Sequence, residues 1–117
     1  MTGRTLEMVT VGAGKYTYEV VSDWGRLPRG HRFTMIPGMH VDSQDRVYVF
    51  NRTPNVVYVL DSNGNFLNMW GQDRFVDYVL HRPHGLYIGV DQRAYLTDLS
   101  DHTVRKFTLD GTLLLTL

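Results

Sequence analysis

The chain alternates short runs of β-branched and aromatic residues with runs of turn-forming residues. The clearest apolar runs are residues 46–50, 56–60 and 66–70, which are rich in Val, Tyr, Phe and Leu. Between them lies DSNGN at 61–65, in which Asn and Gly tolerate the positive φ angles of a tight hairpin turn. No stretch keeps apolar residues at a spacing of three and four, so little helix is expected. The pattern predicts an all-β protein.

This strand pattern occurs twice. Residues 38–70 align without a gap with residues 85–117, at an offset of 47 residues. The identical pairs are Gly38 and Gly85, Arg46 and Arg93, Tyr48 and Tyr95, Val57 and Val104, Gly64 and Gly111, and Leu67 and Leu114. A repeat of this length made of short β-strands is typical of a β-propeller blade. A blade cannot bury both of its faces alone, so the sequence predicts part of a larger ring.

The pattern also predicts how the chain is divided. It consists of an N-terminal arm (1–15), the outer strand of a closing blade (16–25), a first four-stranded antiparallel blade (36–71) and a second one (83–117). The outer strand is inferred because Trp24-Gly25 repeats Trp70-Gly71; the alternative, a loose arm extending to residue 25, stays open. Because two blades do not close a ring and the sequence stops within a strand, we expect the N-terminal part of a longer protein.

Composition restricts the partners of the chain. Lys and Arg number 12, as do Asp and Glu, so no net charge attracts nucleic acid or an anionic membrane. No signal peptide or membrane span is present in the sequence, and the expected location is cytoplasmic. The exposed flank of the second blade should be apolar. The expected partners are therefore the remaining blades or further copies of the chain.

Several motifs resemble known families. PGMHVD at 37–42, DRVYV at 45–49 and NGNFLNMWG at 63–71 resemble NHL repeats, which build six-bladed β-propellers. VFNR at 49–52 and LHRPHGL at 80–86, followed by YLTD at 95–98 and His102, resemble the opening blades of the peptidyl-α-hydroxyglycine α-amidating lyases. The resemblance covers residues 16–117.

The resemblance implies a function and a set of site residues. These lyases cleave a peptide ending in α-hydroxyglycine into a peptide amide and glyoxylate, at a zinc held by histidines from different blades. By resemblance, His84 matches the first zinc histidine, and Arg52 matches the arginine that holds and polarises the substrate. Leu86 and Met39 match residues whose backbone carbonyls bind a structural calcium. The other zinc ligands and the catalytic tyrosine would lie in later blades, so this part alone is expected to bind no metal.

Ordinary structural roles are the alternatives for these residues. His84 is then a loop histidine, and Arg52 is a solvated surface arginine. His40 aligns with Tyr87 and is expected to be a surface or packing residue, while His31, His81 and His102 are expected in loops or at the surface. Asn51 and Asp98 share one position after the second strand of each repeat, where a short side chain typically bonds nearby backbone. Trp24 and Trp70 are predicted to be packing anchors.

Three functions therefore compete. The first is the N-terminal part of a zinc-dependent lyase propeller. The second is a non-catalytic NHL scaffold that binds a protein or peptide, because a fold does not determine a function. The third is a short chain that completes its ring by oligomerisation.

Overall fold

The computed structural model of the protein describes residues 8–72 and 82–117. Within these ranges the chain contains ten strands and no helix, which confirms the predicted all-β class. The strands are β1 (Val9–Ala13), β2 (Tyr16–Val20), β3 (Met35–Val41), β4 (Val47–Arg52), β5 (Val56–Leu60), β6 (Phe66–Trp70), β7 (Pro83–Ile88), β8 (Arg93–Asp98), β9 (Thr103–Thr108) and β10 (Leu113–Thr116). Accordingly, no helix in the described part is long and apolar enough to cross a membrane.

Each sequence repeat forms one four-stranded antiparallel sheet. The first sheet has the order β3-β4-β5-β6 and the second has the order β7-β8-β9-β10, so each strand pairs with its neighbours in sequence. The four strands predicted for each repeat are confirmed. The first sheet begins at Met35, one residue before the predicted start of the first blade at residue 36, and the register of β3 shifts between Met35 and Gly38. Pro37 lies within this shift, where a residue without an N–H is tolerated.

The N-terminal residues form a separate two-stranded hairpin. Val9–Ala13 pairs with Tyr16–Val20, and the turn between them has Gly14 at φ 61°. The sequence predicts an arm for residues 1–15, whereas in the structure residues 9–13 pair with part of the predicted strand. Neither strand of the hairpin contacts any other described strand. That this hairpin belongs to a closing blade stays a prediction.

The main core lies between the two four-stranded sheets. Five side chains of the first sheet meet five of the second, and all ten are buried: Tyr48, Phe50, Val57, Val59 and Trp70 from the first, and Leu86, Ile88, Ala94, Leu96 and Phe107 from the second. Removing such a continuous apolar surface from water is the main driving force for stacking the sheets.

The opposite face of the first sheet is covered by the segment that follows the hairpin. Trp24, Leu27 and Phe33 pack against a second cluster, which contains Val47, Val49, Val56, Tyr58 and Leu60. The first sheet is therefore buried on both faces. Its two central strands, β4 and β5, accordingly consist almost wholly of buried residues.

The same tryptophan–glycine contact recurs in both repeats. A Cβ atom at Gly64 would lie 1.8 Å from the carbonyl oxygen of Trp24, and one at Gly111 would lie 2.6 Å from the Cβ of Trp70. Both glycines have positive φ angles, 81° and 94°, which glycine adopts without strain. The prediction that Trp24 and Trp70 are packing anchors is confirmed.

The second sheet has one face against which no described strand packs. At the 47-residue offset, the first-sheet residues of the main core correspond to Tyr95, Thr97, Val104, Lys106 and Leu117. Apolar side chains on this side are exposed, including Tyr87 at 56% and Leu115 at 48%. The prediction of an apolar, uncovered flank on the second repeat is confirmed for the described residues.

Gly38→Ala should destabilise the stack of the two sheets. A Cβ at Gly38 would lie 2.8 Å from the backbone nitrogen of Leu86, and backbone cannot move aside as a side chain can. We expect a loss of roughly 1–3 kcal/mol in the free energy of unfolding, measured by urea denaturation at one chain concentration. Gly85→Ala is the matched control, because its Cβ would meet only the side chain of Thr97. Equal losses in the two variants would contradict this explanation.

Candidate functional site at the junction of the two sheets

The first strands of the two sheets meet by direct backbone contact. A Cβ at Gly38 of β3 would lie 2.8 Å from the nitrogen of Leu86 and 3.3 Å from the carbonyl oxygen of His84, both in β7. No side chain fits between the strands at this point. The junction therefore brings together the backbone segments that carry all three predicted metal-binding residues, His84, Leu86 and Met39.

His84 lies at the beginning of β7 with its side chain exposed. The preceding residue, Pro83, is buried, and the following amide of Gly85 donates a 2.7 Å hydrogen bond to Oγ1 of Thr97. The backbone is therefore fixed on both sides of His84 while its imidazole faces solvent. This placement allows His84 to act as a ligand, and its role as a zinc ligand stays a prediction.

Arg52 ends β4 and reaches across to the second sheet. Its Nη2 donates a 2.6 Å hydrogen bond to the carbonyl oxygen of Pro83, and its Nε donates a 3.3 Å hydrogen bond to the same oxygen. The guanidinium is thus held against the backbone next to His84, unlike a fully solvated surface arginine. Arg52 and His84, which are 32 residues apart in sequence, lie at the same edge of the structure.

The two predicted calcium-binding residues lie on β3 and β7, the strands that are in backbone contact. Met39 pairs with Val49 in the first sheet, and Leu86 pairs with Leu96 in the second. The side chain of Leu86 belongs to the main core, whereas that of Met39 is 54% exposed. Binding of calcium by the backbone carbonyls of Met39 and Leu86 stays a prediction.

Among residues 8–72 and 82–117, no three His, Cys, Asp or Glu side chains are grouped so as to hold a metal ion. A catalytic zinc site needs three protein ligands and one open position. At the junction the described residues offer His84, and the remaining ligands of a zinc site would have to come from elsewhere. The donor set therefore fits zinc only in part.

The other described histidines lie in packing contacts or in a turn. The ring of His40 lies 5.1 Å from that of Tyr87, edge to face, which confirms the predicted packing role. His31 contacts the hydroxyl of Tyr58 at 3.3 Å, and His102 lies in a turn with φ 57°. His81 lies outside the described residues.

A buried amide fixes the strand end that carries Arg52. Oδ1 of Asn51 accepts a 3.0 Å hydrogen bond from the backbone N–H of Thr34, and Nδ2 donates one of 3.0 Å to the carbonyl of Pro54. The hydroxyl of Thr34 also donates to the carbonyl of Arg52. At the equivalent position Asp98 accepts a 2.9 Å hydrogen bond from the amide of Ser100. The prediction that both side chains bond nearby backbone is confirmed, whereas the part played by Thr34 was not anticipated, because only the folded chain brings it to Asn51.

A second polar cluster lies at the other end of β4, away from Arg52. Asp42 is buried and accepts hydrogen bonds from Nε of Arg46 at 2.6 Å and from the hydroxyl of Tyr48 at 3.0 Å. Burial raises the pKa of Asp42, but hydrogen bonds from the backbone and side chain of Arg46, from Gln44 and from Tyr48 outweigh it and bring the pKa below 3.8. Burial, together with the carboxylate of Asp42, raises the pKa of Tyr48 to about 12. The sequence did not indicate this cluster.

No family model matches the chain, and no curated protein matches its sequence. The functional assignment therefore depends on the residue motifs and on the geometry of the junction.

The raised pKa of Tyr48 should lower the free energy of unfolding at alkaline pH. Its pKa is about 12 when folded and 10 when unfolded, so folding favours the neutral phenol. This contribution is fully present below pH 10 and is lost as the pH rises through 12. The measurement is the urea midpoint of the wild type and of Tyr48→Phe at a series of pH values. Subtracting the two curves cancels contributions from other tyrosines, and a difference independent of pH above 10 would disprove the effect.

Arg52→Ala should loosen the start of β7, because it removes both hydrogen bonds to the carbonyl of Pro83. We expect faster amide hydrogen exchange at Gly85 and Leu86, by roughly a factor of ten for the loss of about 1–2 kcal/mol of local stability. Arg29→Ala is the control, because Arg29 is exposed and its removal changes the charge equally. Unchanged exchange at both amides in Arg52→Ala would show that the contact does not hold the strand.

Proposed function

We propose that the chain is the N-terminal part of an NHL-type six-bladed β-propeller with peptidyl-α-hydroxyglycine α-amidating lyase activity. The observation that carries the proposal is the contact of Arg52 with the carbonyl of Pro83, next to His84. The two residues that the motifs single out for the reaction come from different repeats and meet at one edge. Neither of the two sequence motifs, taken alone, implies that Arg52 and His84 lie at the same edge.

The stacking of the sheets supports the propeller. In a propeller the first strands of neighbouring blades approach each other near the ring axis, and side chains from separate blades can meet there. The close contact of β3 and β7 at Gly38 fits this arrangement. The recurring contact of a tryptophan with the glycine of the following sheet fits a series of equivalent blades.

Each residue has a definite task in this proposal. A zinc ion bound partly by His84 would supply Lewis acidity toward the hydroxyl group of the substrate. Arg52 uses Nε and Nη2 on Pro83, and among the described residues Nη1 has no hydrogen-bond acceptor. That edge of the guanidinium can bind a carboxylate, such as the one at the end of a peptidyl-α-hydroxyglycine. The contact with Pro83 holds this cation in place, and no carboxylate of the described residues forms an ion pair with it.

The proposal is tested in the protein that contains all blades of the ring, by glyoxylate release from a peptidyl-α-hydroxyglycine and by zinc content. His84→Ala should remove both zinc and activity, because one of the three ligands is lost. Arg52→Ala should keep the zinc and lower turnover at least tenfold. Arg29→Ala is the control, because Arg29 is exposed and lies outside the motifs that resemble the lyases. Full activity of His84→Ala would overturn the lyase and leave the peptide-binding scaffold.

A further inference from the structure

Two apolar surfaces of the chain are uncovered within the described residues. The first, the hairpin face, consists of the cross-strand pairs Val9 and Val20, Val11 and Tyr18, and Ala13 and Tyr16. The second, the free face, lies on the second sheet and consists of Tyr87, Tyr95, Val104, Lys106, Leu115 and Leu117. Tyr16 and Tyr18 are each 61% exposed, as large a fraction as for Tyr87. Contiguous apolar surfaces of this kind are typical of interaction sites.

The free face is built for a sheet to stack on it. It is the repeat equivalent of the first-sheet face that packs against the second sheet, and that face is almost completely buried. The turn that borders it is also equivalent, since Asp45 and Gln92 occupy the same repeat position and have φ angles of 59° and 56°. The interface already present between the two sheets therefore shows what kind of surface covers such a face, namely the apolar side of another β-sheet.

A shallow cleft lies in the free face. It has a volume of about 400 Å³ and is lined by Tyr87, Gly89, Val90, Asp91 and Tyr95. The equivalent place on the first sheet is in contact with two side chains of the second sheet. The ring of Tyr87 packs against His40, and the side chain of Gln92 accepts a hydrogen bond from the amide of Ser43. The hairpin face offers two tyrosine rings, Tyr16 and Tyr18.

The charges at the free face are already paired. Nζ of Lys106 lies 3.7 Å from Oδ2 of Asp91 and 5.5 Å above the ring of Tyr95. The hydroxyl of Tyr95 donates a 2.7 Å hydrogen bond to the same carboxylate. An apolar partner can therefore cover the face without leaving an unpaired charge beneath it. On the hairpin face the acidic residue, Glu19, is on the opposite side with Thr10, and the ammonium of Lys15 lies at the turn, 5.1 Å from the centre of the Tyr16 ring.

The hairpin of the chain does not lie on the free face of the same chain, since neither of its strands contacts another described strand. It leads into Trp24, which packs on the side of the first sheet that faces away from the second. Two stacked sheets place the free face about 20 Å beyond that cluster. The four residues from Val20 to Trp24 span at most about 14 Å. A hairpin docked along the whole free face would therefore belong to another molecule.

We propose that the hairpin face of one copy of this chain docks on the free face of a second copy, head to tail. The contact is heterologous, so each copy keeps one unused face of each kind and further copies add until the assembly closes or continues. A single type of contact then buries both apolar faces. This inference concerns the 117-residue chain itself and does not rest on the lyase assignment.

The test uses one variant of each face, analysed by sedimentation velocity and light scattering. Val11→Lys alters the hairpin face, and Leu115→Glu alters the free face while placing a carboxylate opposite Lys106. We expect the wild type to form concentration-dependent oligomers and each variant to be monomeric. A mixture of the two variants should form a 1:1 heterodimer, because each supplies the face that the other lacks.

Two controls separate the docking surfaces from general effects of charge. Thr10→Lys changes the opposite side of the hairpin, and Leu67→Glu changes a leucine as exposed as Leu115 but outside both faces. Both should associate like the wild type. Should either test variant lose the circular dichroism of β-sheet, Tyr18→Lys and Tyr87→Lys repeat the mixing experiment at independent positions of the two faces.

Three outcomes would overturn the proposal. One is a monomeric wild type at about 100 µM. Another is a Val11→Lys variant that still associates like the wild type, which would show that two free faces pair with each other instead. The third is a mixture of folded, monomeric variants in which no heterodimer forms.

Discussion

The backbone contact between β3 and β7 at Gly38 determines how the rest of the chain is arranged. Because no Cβ fits there, the first strands of the two sheets approach more closely than side-chain packing permits. The sheets then meet along the remaining strands through ten buried side chains. The contact also decides which residues become neighbours at the edge, since the carbonyl of Pro83 comes within 2.6 Å of Arg52 only when β7 lies against the end of β4. Packing and the candidate site thus have one common cause.

Much of the fold could be predicted because its information is local. Strands β4, β5 and β6 are runs of β-branched and aromatic residues between turn residues, and the 47-residue repeat transferred each prediction to the second sheet. β1 was missed because VTVGA is short and contains Gly12, which weakens a strand pattern. Its pairing with β2 is a property of the hairpin and not of either strand alone.

The candidate site could be predicted only as separate residues. The motifs singled out Arg52 and His84, but the hydrogen bonds from Arg52 to Pro83 join positions 31 residues apart and depend on the stacking of two sheets. The same holds for Thr34, whose contacts with Asn51 cross 17 residues and leave no pattern in sequence. Spacing along the chain indicates which residues a repeat shares, whereas tertiary contacts decide what each of them touches.

The differences between the two repeats are as informative as the identities. Val59 and Phe50, buried in the main core, are replaced on the free face by Lys106 and Thr97. A face that is covered within one folding unit can be wholly apolar, but a face that meets water before it is covered needs polar groups to stay soluble. Tyr95 keeps the equivalent of the Tyr48 hydrogen bond to a carboxylate, although its partner, Asp91, lies four residues before it instead of six. In the first repeat the carboxylate of Asp42 is buried and stabilises the fold. In the second repeat the carboxylate of Asp91 is exposed and pairs with the ammonium of Lys106. The second sheet therefore keeps the repeat pattern of the stacking face of the first sheet, with fewer apolar side chains on it.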